Sequence, residues 1–255
     1  MVDLHCHVLP GVDDGPRVIE SSLALCRVAC DDGTRTLVAT PHVNPDYPDV
    51  TAALIQELVG VVNGALRAED IDVTVRPGAE VALSRVGELS DLELDQLGLG
   101  GRRHLLIELP WTVAAPGAVA ALRALAGRGY GIVLAHPERS PIVQNDRALL
   151  SGLIDEGMLC CLDAGSLGGA ADRRTRATAW ELLAGGLAHA IASDCHDAVR
   201  RPPRLRSMLE EARLTPDEID YFAREAPEAI LNGDAVGSPP AIADRRRRHW
   251  LRPRW

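Results

Sequence analysis

The chain has 255 residues, 46% of them hydrophobic, and a formal net charge of −9; that length allows one large core, and a single α/β barrel of this size is ordinary. No run approaches the about 20 apolar residues of a membrane span, and the N-terminus lacks the basic and apolar regions of a secretory signal, so a cytoplasmic protein without membrane insertion is expected. An acidic body argues against nucleic-acid partners, and six cysteines with no Cys-x-x-Cys pair or regular spacing read as free thiols.

The first apolar run carries Asp3-Leu4-His5-Cys6-His7. Two histidines one residue apart on an extended strand project to the same side, where both imidazoles reach one ion. The segment Leu9-Pro10-Gly11-Val12-Asp13-Asp14-Gly15 follows at once. Later strand-like runs break off at the same kind of residue: 37–39 before His42, 73–75 before Glu80 and 105–107 before Glu108. The series continues with 132–135 before His136, 159–162 before Asp163, and 190–193 before Asp194-Cys195-His196.

Helical patterns lie between them at 18–30, 51–68, 118–128, 147–156, 173–184 and 205–213, with short joints such as Asp32-Gly33 and Gly185-Gly186. This alternation predicts parallel βα units. A doubly wound sheet also alternates, but it concentrates its site at one crevice, whereas here a potential ligand follows nearly every strand, as on the C-terminal rim of a barrel. Residues 1–233 are therefore expected to form one domain. Residues 234–255 read as an extended or loosely helical tail; 241–255 hold six Arg and one Asp, which leaves −14 on the rest of the chain. Such a like-charged run is expected to be dispensable for turnover of a small substrate.

Collected by strand end, the candidate metal ligands are His5, His7, Asp14, His42, Glu80, Glu108, His136, Asp194 and His196. Nine N and O donors exceed what one zinc requires, and none is cysteine, so two or three borderline-hard ions such as Mn, Fe or Zn are the natural occupants. Five of the eight histidines fall at these positions; His104, His189 and His249 are assigned no role.

These segments, together with Thr40-Pro41-His42, Gly78-Ala79-Glu80, Glu108-Leu109-Pro110, His136-Pro137-Glu138-Arg139 and Arg201-Pro202-Pro203, resemble the PHP (polymerase and histidinol phosphatase) superfamily. Within it they are similar to the metal-dependent protein tyrosine phosphatases of capsular and exopolysaccharide loci, the CpsB/CapC type. The resemblance covers about residues 1–233 and implies an α/β fold, a distorted (β/α)7 barrel with the metal site at the C-terminal rim of the strands. It implies three ions: His5, His7, Glu80 and Asp194 on the first, Glu80 bridging to a second held by Glu108 and His136, and Asp14, His42 and His196 on the third. Manganese is the first choice among Mn, Fe, Zn, Co and Mg. Arg139 and Arg201 match the positions that grip the substrate phosphate, a task suited to the planar guanidinium fork; Arg200 is the alternative to Arg201, and Asp163 reads as a supporting residue. The implied substrate is phosphotyrosine in a protein, the implied partner the tail of an autophosphorylated bacterial tyrosine kinase that controls polysaccharide export, and oligomerisation is compatible with this.

Such a centre activates water at neutral pH for in-line attack on phosphorus, while cations neutralise the equatorial oxygens. A phenolate leaving group, with a pKa of about 10, needs less help from a general acid than an alkoxide does. Three other readings compete. One is a PHP enzyme acting on a small ester such as histidinol phosphate, or on nucleic acid; another is a non-catalytic metal-binding regulator. The third is a thiol phosphatase using Cys195 in a Cys-x5-Arg spacing to Arg201, but that segment has no glycine to bend a phosphate loop, and two prolines follow Arg201 where a helix should begin.

Overall fold

The computed structural model describes residues 1–113, 116–169 and 171–242. The arginine run of the expected tail lies outside the described residues. Among those described, every strand pairing is parallel. One sheet has the order β1 (Val2–Cys6), β2 (Thr36–Ala39) and β4 (Thr74–Pro77). The other runs β3 (His42–Val43), β5 (Glu80–Ala82), β6 (His104–Glu108), β7 (Gly131–Ala135), β8 (Leu159–Asp163) and β9 (Ala190–Ala192). The expected helices appear as Ile19–Asp31, Ala52–Ala68, Ala118–Gly127, Arg147–Asp155, Arg173–Ala184 and Leu205–Glu211.

Two of the seven expected strand lines are each split, β2 from β3 and β4 from β5. Pro41 and Pro77 stand at these breaks, where a residue without an N–H cannot continue a ladder. Gly78 lies so close to the first sheet that a Cβ there would come within 2.9 Å of Val38. The break moves His42 and Glu80 onto the second sheet, where they pair in register.

Strand residues are buried on both sides in alternation. Leu4, Val38, Leu106, Val133, Cys161 and Ala192 form an inner cluster capped by Leu99, Ile230 and Leu231. Their neighbours Leu37, Leu105, Ile132, Cys160 and Ile191 join the outer core with the helices. Past the end of β9, Cys195 forms an isolated parallel bridge with Cys6 of β1, with the His7 amide donating to the Cys195 carbonyl at 2.9 Å and the Asp194 amide to the His5 carbonyl at 3.0 Å. Because all strands run the same way, the residues that follow them emerge on one side of the molecule.

His104 and His189 are structural. The His104 ring fills the space beside Gly131, where a Cβ would sit 2.3 Å away, and His189 Nδ1 accepts from the Cys160 amide at 3.2 Å. No described helix is long and apolar enough to cross a membrane.

Candidate metal centre

The donors stand at or just beyond strand termini: His5 lies in β1 and His7 just past it, His42 and Glu80 are the first residues of β3 and β5, beyond the breaks that end β2 and β4, and Glu108 closes β6. His136 follows β7, and Asp194 and His196 follow β9. His136 and Asp194 have positive φ angles of 28° and 48°. Non-glycine residues pay strain for that conformation and keep it where the surroundings demand it; here it turns both side chains back over the strand ends. The Asp13-Asp14-Gly15 turn folds against the same rim. A Cβ at Gly15 would stand 2.7 Å from the His7 carbonyl, so glycine is required there.

All nine predicted donors come together. His5 Nε2 lies 3.3 Å from Glu80 Oε2 and 3.5 Å from Asp194 Oδ1. His7 Nε2 lies 3.5 Å from each of the same two oxygens and 3.3 Å from His5 Nε2. These separations exceed a well-formed hydrogen bond and match the edge of a tetrahedron, about 3.4 Å, around an ion bound at about 2.1 Å. A second group gathers Asp14, His42 and His196 with His7: Asp14 Oδ1 is 3.1 Å from His196 Nε2 and 3.5 Å from His42 Nε2. A third joins Glu80 and Glu108 with His42, and His136 Nε2 lies 2.8 Å from the other Glu80 oxygen, Oε1. His42 thus reaches two groups, one with each ring nitrogen. Its Nδ1 stands 2.9 Å from Glu80 Oε2, yet the two are misaligned, and both atoms are buried without a hydrogen-bond partner among the described residues. Orphaned buried donors converging on common points are what a divalent cation would satisfy.

Charge tells the same story. Burial opposes ionisation of Glu80 and Asp194, but the surrounding imidazoles hold both carboxyls well below the usual carboxylate range. Burial likewise opposes charge on His136, yet Glu80 and Asp194 carry it up to about 9. His196 holds Asp14 down at about 2. Glu108 moves upward, through burial and the nearby Glu80. Protons on imidazoles therefore compensate a buried surplus of carboxylates, and metal binding would displace them.

Arg139 and Arg201 converge on the far oxygen of Asp194. Arg139 Nη1 donates to Asp194 Oδ2 at 2.9 Å, and its Nη2 donates to Asp163. Arg201 Nη2 donates to Asp194 Oδ2 at 2.6 Å and to the Asp194 carbonyl at 3.0 Å. Asp194 thus faces the histidines with one oxygen and holds two guanidiniums with the other. Arg201, not Arg200, borders the cavity of about 600 Å³ over the centre; the Arg200 side chain is 90% exposed. Asp163 is itself fixed by Ser166 Oγ at 3.1 Å and the Gly165 amide at 2.9 Å.

Three functional candidates were not legible in the sequence. Asp13 Oδ2 accepts from His7 Nδ1 at 2.7 Å and from the His42 amide at 3.1 Å, fixing two of the candidate donors; its only sequence signal is the Asp-Asp pair. Trp111 Nε1 donates to Glu108 Oε1 at 2.8 Å. The Tyr47 ring stacks on His42 at 5.7 Å. Cys195 is fully buried with its Sγ 2.8 Å from Cys6 Sγ, pointing away from the cavity that Asp194 and His196 line. A thiol nucleophile is therefore out of place.

Imidazoles and carboxylates on parallel strand ends, with guanidiniums beside them, define a metal-centred hydrolase site of the kind built for phosphate esters. The chain belongs to the family described as capsular polysaccharide synthesis, CpsB/CapC, whose model matches residues 1–232. It is 30% identical over 249 residues to tyrosine-protein phosphatase YwqE of Bacillus subtilis (strain 168), covering 97% of this chain and 98% of that protein. To tyrosine-protein phosphatase CpsB of Streptococcus pneumoniae it is 27% identical over 216 residues, 82% of this chain and 88% of that one. Among solved structures it is similar to one from a study of YwqE and CpsB as unique metal-dependent tyrosine phosphatases, with a TM-score of 0.83, 29% identity, and coverage of 94% of this chain and 98% of that chain. A dihydropyrimidinase from Brevibacillus agri NCHU1002 shares the fold alone, with a TM-score of 0.54 at 11% identity over 93% of this chain and 73% of that one.

Proposed function

We propose that this chain hydrolyses phosphotyrosine in proteins at a centre of two to three divalent ions, and that the two sheets act as one distorted (β/α)7 barrel spanning residues 1–233. The observation that carries this reading is Asp194, which turns one oxygen to the histidine cluster and the other to Arg139 and Arg201. His5, His7, Glu80 and Asp194 would hold one ion, Glu80, Glu108 and His136 a second, and Asp14, His42 and His196 a third. Bound there, divalent ions supply Lewis acidity and water activated at neutral pH. Donors that are all N and O favour manganese over softer metals.

The chain's own residues do the rest. Arg139 and Arg201 present N–H groups to the phosphoryl oxygens, and Asp163 keeps Arg139 from swinging away. Asp13 keeps the proton of His7 on Nδ1, which leaves Nε2 free to ligate. The family's description as capsular polysaccharide synthesis supports an autophosphorylated bacterial tyrosine kinase as the physiological substrate.

The test is a panel of phosphotyrosine peptides, histidinol phosphate and short oligonucleotides with manganese. Turnover of the peptides that vanishes with a strong chelator and returns with Mn or Co is expected; preference for histidinol phosphate or the oligonucleotide would sink the assignment.

A further inference from the structure

The cavity over the centre has an ionisable floor and a wall that is partly apolar, and two large rings stand in that wall, Trp111 and Tyr47. Trp111 follows directly on Glu108-Leu109-Pro110 at the end of β6 and remains 58% exposed at the cavity wall. Its indole N–H is anchored on Glu108 Oε1 at 2.8 Å, and its ring centre lies 5.9 Å from that of His136. Tyr47 lines the same cavity beside another histidine, its ring parallel to His42 within 4°. A large exposed indole pinned by its edge does nothing for the core. Its apolar surface is held at a fixed place next to the metal centre, and such surface gains when another apolar group covers it.

The phosphoryl group of a substrate belongs with Arg139, Arg201 and the ligand cluster. The ester substituent must then extend outward through the cavity, past these rings. We propose that Trp111, with Tyr47, seats the phenyl ring of the phosphotyrosine side chain and so selects aryl over alkyl phosphate esters. This rests on the function proposed above and assigns the specificity within it. A phenyl ring set against an aromatic surface gains an offset or edge contact that an alkyl chain from serine does not offer, and an indole fixed by one hydrogen bond loses little freedom on binding it. Trp111 also borders a second cavity of about 510 Å³ that is shared with Arg139 and Arg201. The peptide on either side of the phosphotyrosine thus has space beyond the ring.

The experiment uses the manganese-loaded full chain and compares two constants: KM for a phosphotyrosine peptide, and the competitive Ki of inorganic phosphate, which has no ring. Trp111→Ala should raise KM about fivefold to tenfold while Ki stays within about twofold, and Tyr47→Ala should act in the same direction. Trp111→Phe keeps a ring but lacks the N–H to Glu108, and should restore most of the parent KM. Equal rises of KM and Ki in Trp111→Ala would mean that Trp111 works through Glu108 and the metals, and would overturn the proposal. So would a Trp111→Phe variant as weak as Trp111→Ala, or an unchanged KM in both alanine variants. Failure of the unmutated chain to turn over phosphotyrosine, while it hydrolyses another phosphate ester, would instead bring down the proposed function itself.

Discussion

Replacing Asp13 by asparagine changes one oxygen to an amide nitrogen and leaves the shape of the turn intact. In the parent, Asp13 Oδ2 accepts from His7 Nδ1 at 2.7 Å and from the His42 amide at 3.1 Å, while Oδ1 accepts from the Gly15 amide at 3.0 Å. Every contact requires an acceptor. Whichever way the asparagine is turned, its NH2 faces a donor: Gly15 in one orientation, His42 and His7 in the other. In the second orientation the His7 contact can be relieved only by moving its proton to Nε2, the atom that stands 3.5 Å from Glu80 and Asp194 and would bind metal, and the His42 amide still faces the NH2. The Asp13 side chain is only 1% exposed, so water neither screens the lost charge nor repairs the contact. A charge-assisted hydrogen bond of this kind is worth about 1.5–3 kcal/mol, which converts to about 10- to 100-fold in metal affinity and agrees with the usual effect of removing the carboxylate behind a ligating histidine. The assay is competitive titration of manganese against a chelating indicator, followed by aryl phosphate turnover over a range of metal concentrations. Because Asp13 is not itself among the proposed ligands, excess manganese should recover much of the lost rate. Parent-like manganese affinity in Asp13→Asn would refute the reasoning.

Glu80→Ala should remove bound metal and lower turnover by orders of magnitude, since its two oxygens serve four histidines; metal analysis with near-full occupancy and normal rates would place Glu80 outside the centre. Alkylating reagents should leave most activity intact, as should Cys195→Ser, because burial pushes the thiols of Cys6, Cys160 and Cys161 up and that of Cys26 to about 12; loss of turnover in Cys195→Ser with metal still bound would contradict this. In the metal-free protein, His136 titrates near 9 when folded, above its ordinary value of 6.5. The folded state therefore binds more protons between those pH values, and stability present below about 6.5 should be lost as pH rises through about 9. Denaturant midpoints between pH 6.5 and 9 should fall, and His136→Gln should flatten the slope; a rising midpoint would contradict the sign.

The donor set was readable from the chain because it is written locally. A parallel strand buried on both faces is a short apolar run, and a histidine or carboxylate just past its end is placed by the strand itself. Seven runs, each followed by such a residue, already confined the donors to one rim, and the Pro-Gly-Val-Asp-Asp-Gly and His-Pro-Glu-Arg segments carried the family. The splitting of two strand lines at Pro41 and Pro77 was not readable, since a proline marks a break without saying where the chain resumes.

Beyond the donor types, what matters is the direction of side chains in irregular segments. Arg200 and Arg201 are chemically equivalent neighbours in sequence, and only the course of the chain before Pro202-Pro203 puts Arg201 on Asp194 and leaves Arg200 in solvent. Asp13 and Asp14 are likewise adjacent and identical, yet one turn sends Asp14 to His196 and tucks Asp13 behind His7. The sequence by itself determined which residue types end the strands, because backbone pairing and apolar burial act over a few residues. Only the tertiary structure decided which of two like neighbours joins the histidine cluster, which supports it from behind and which faces water, because that choice is made by contacts with residues distant in the chain.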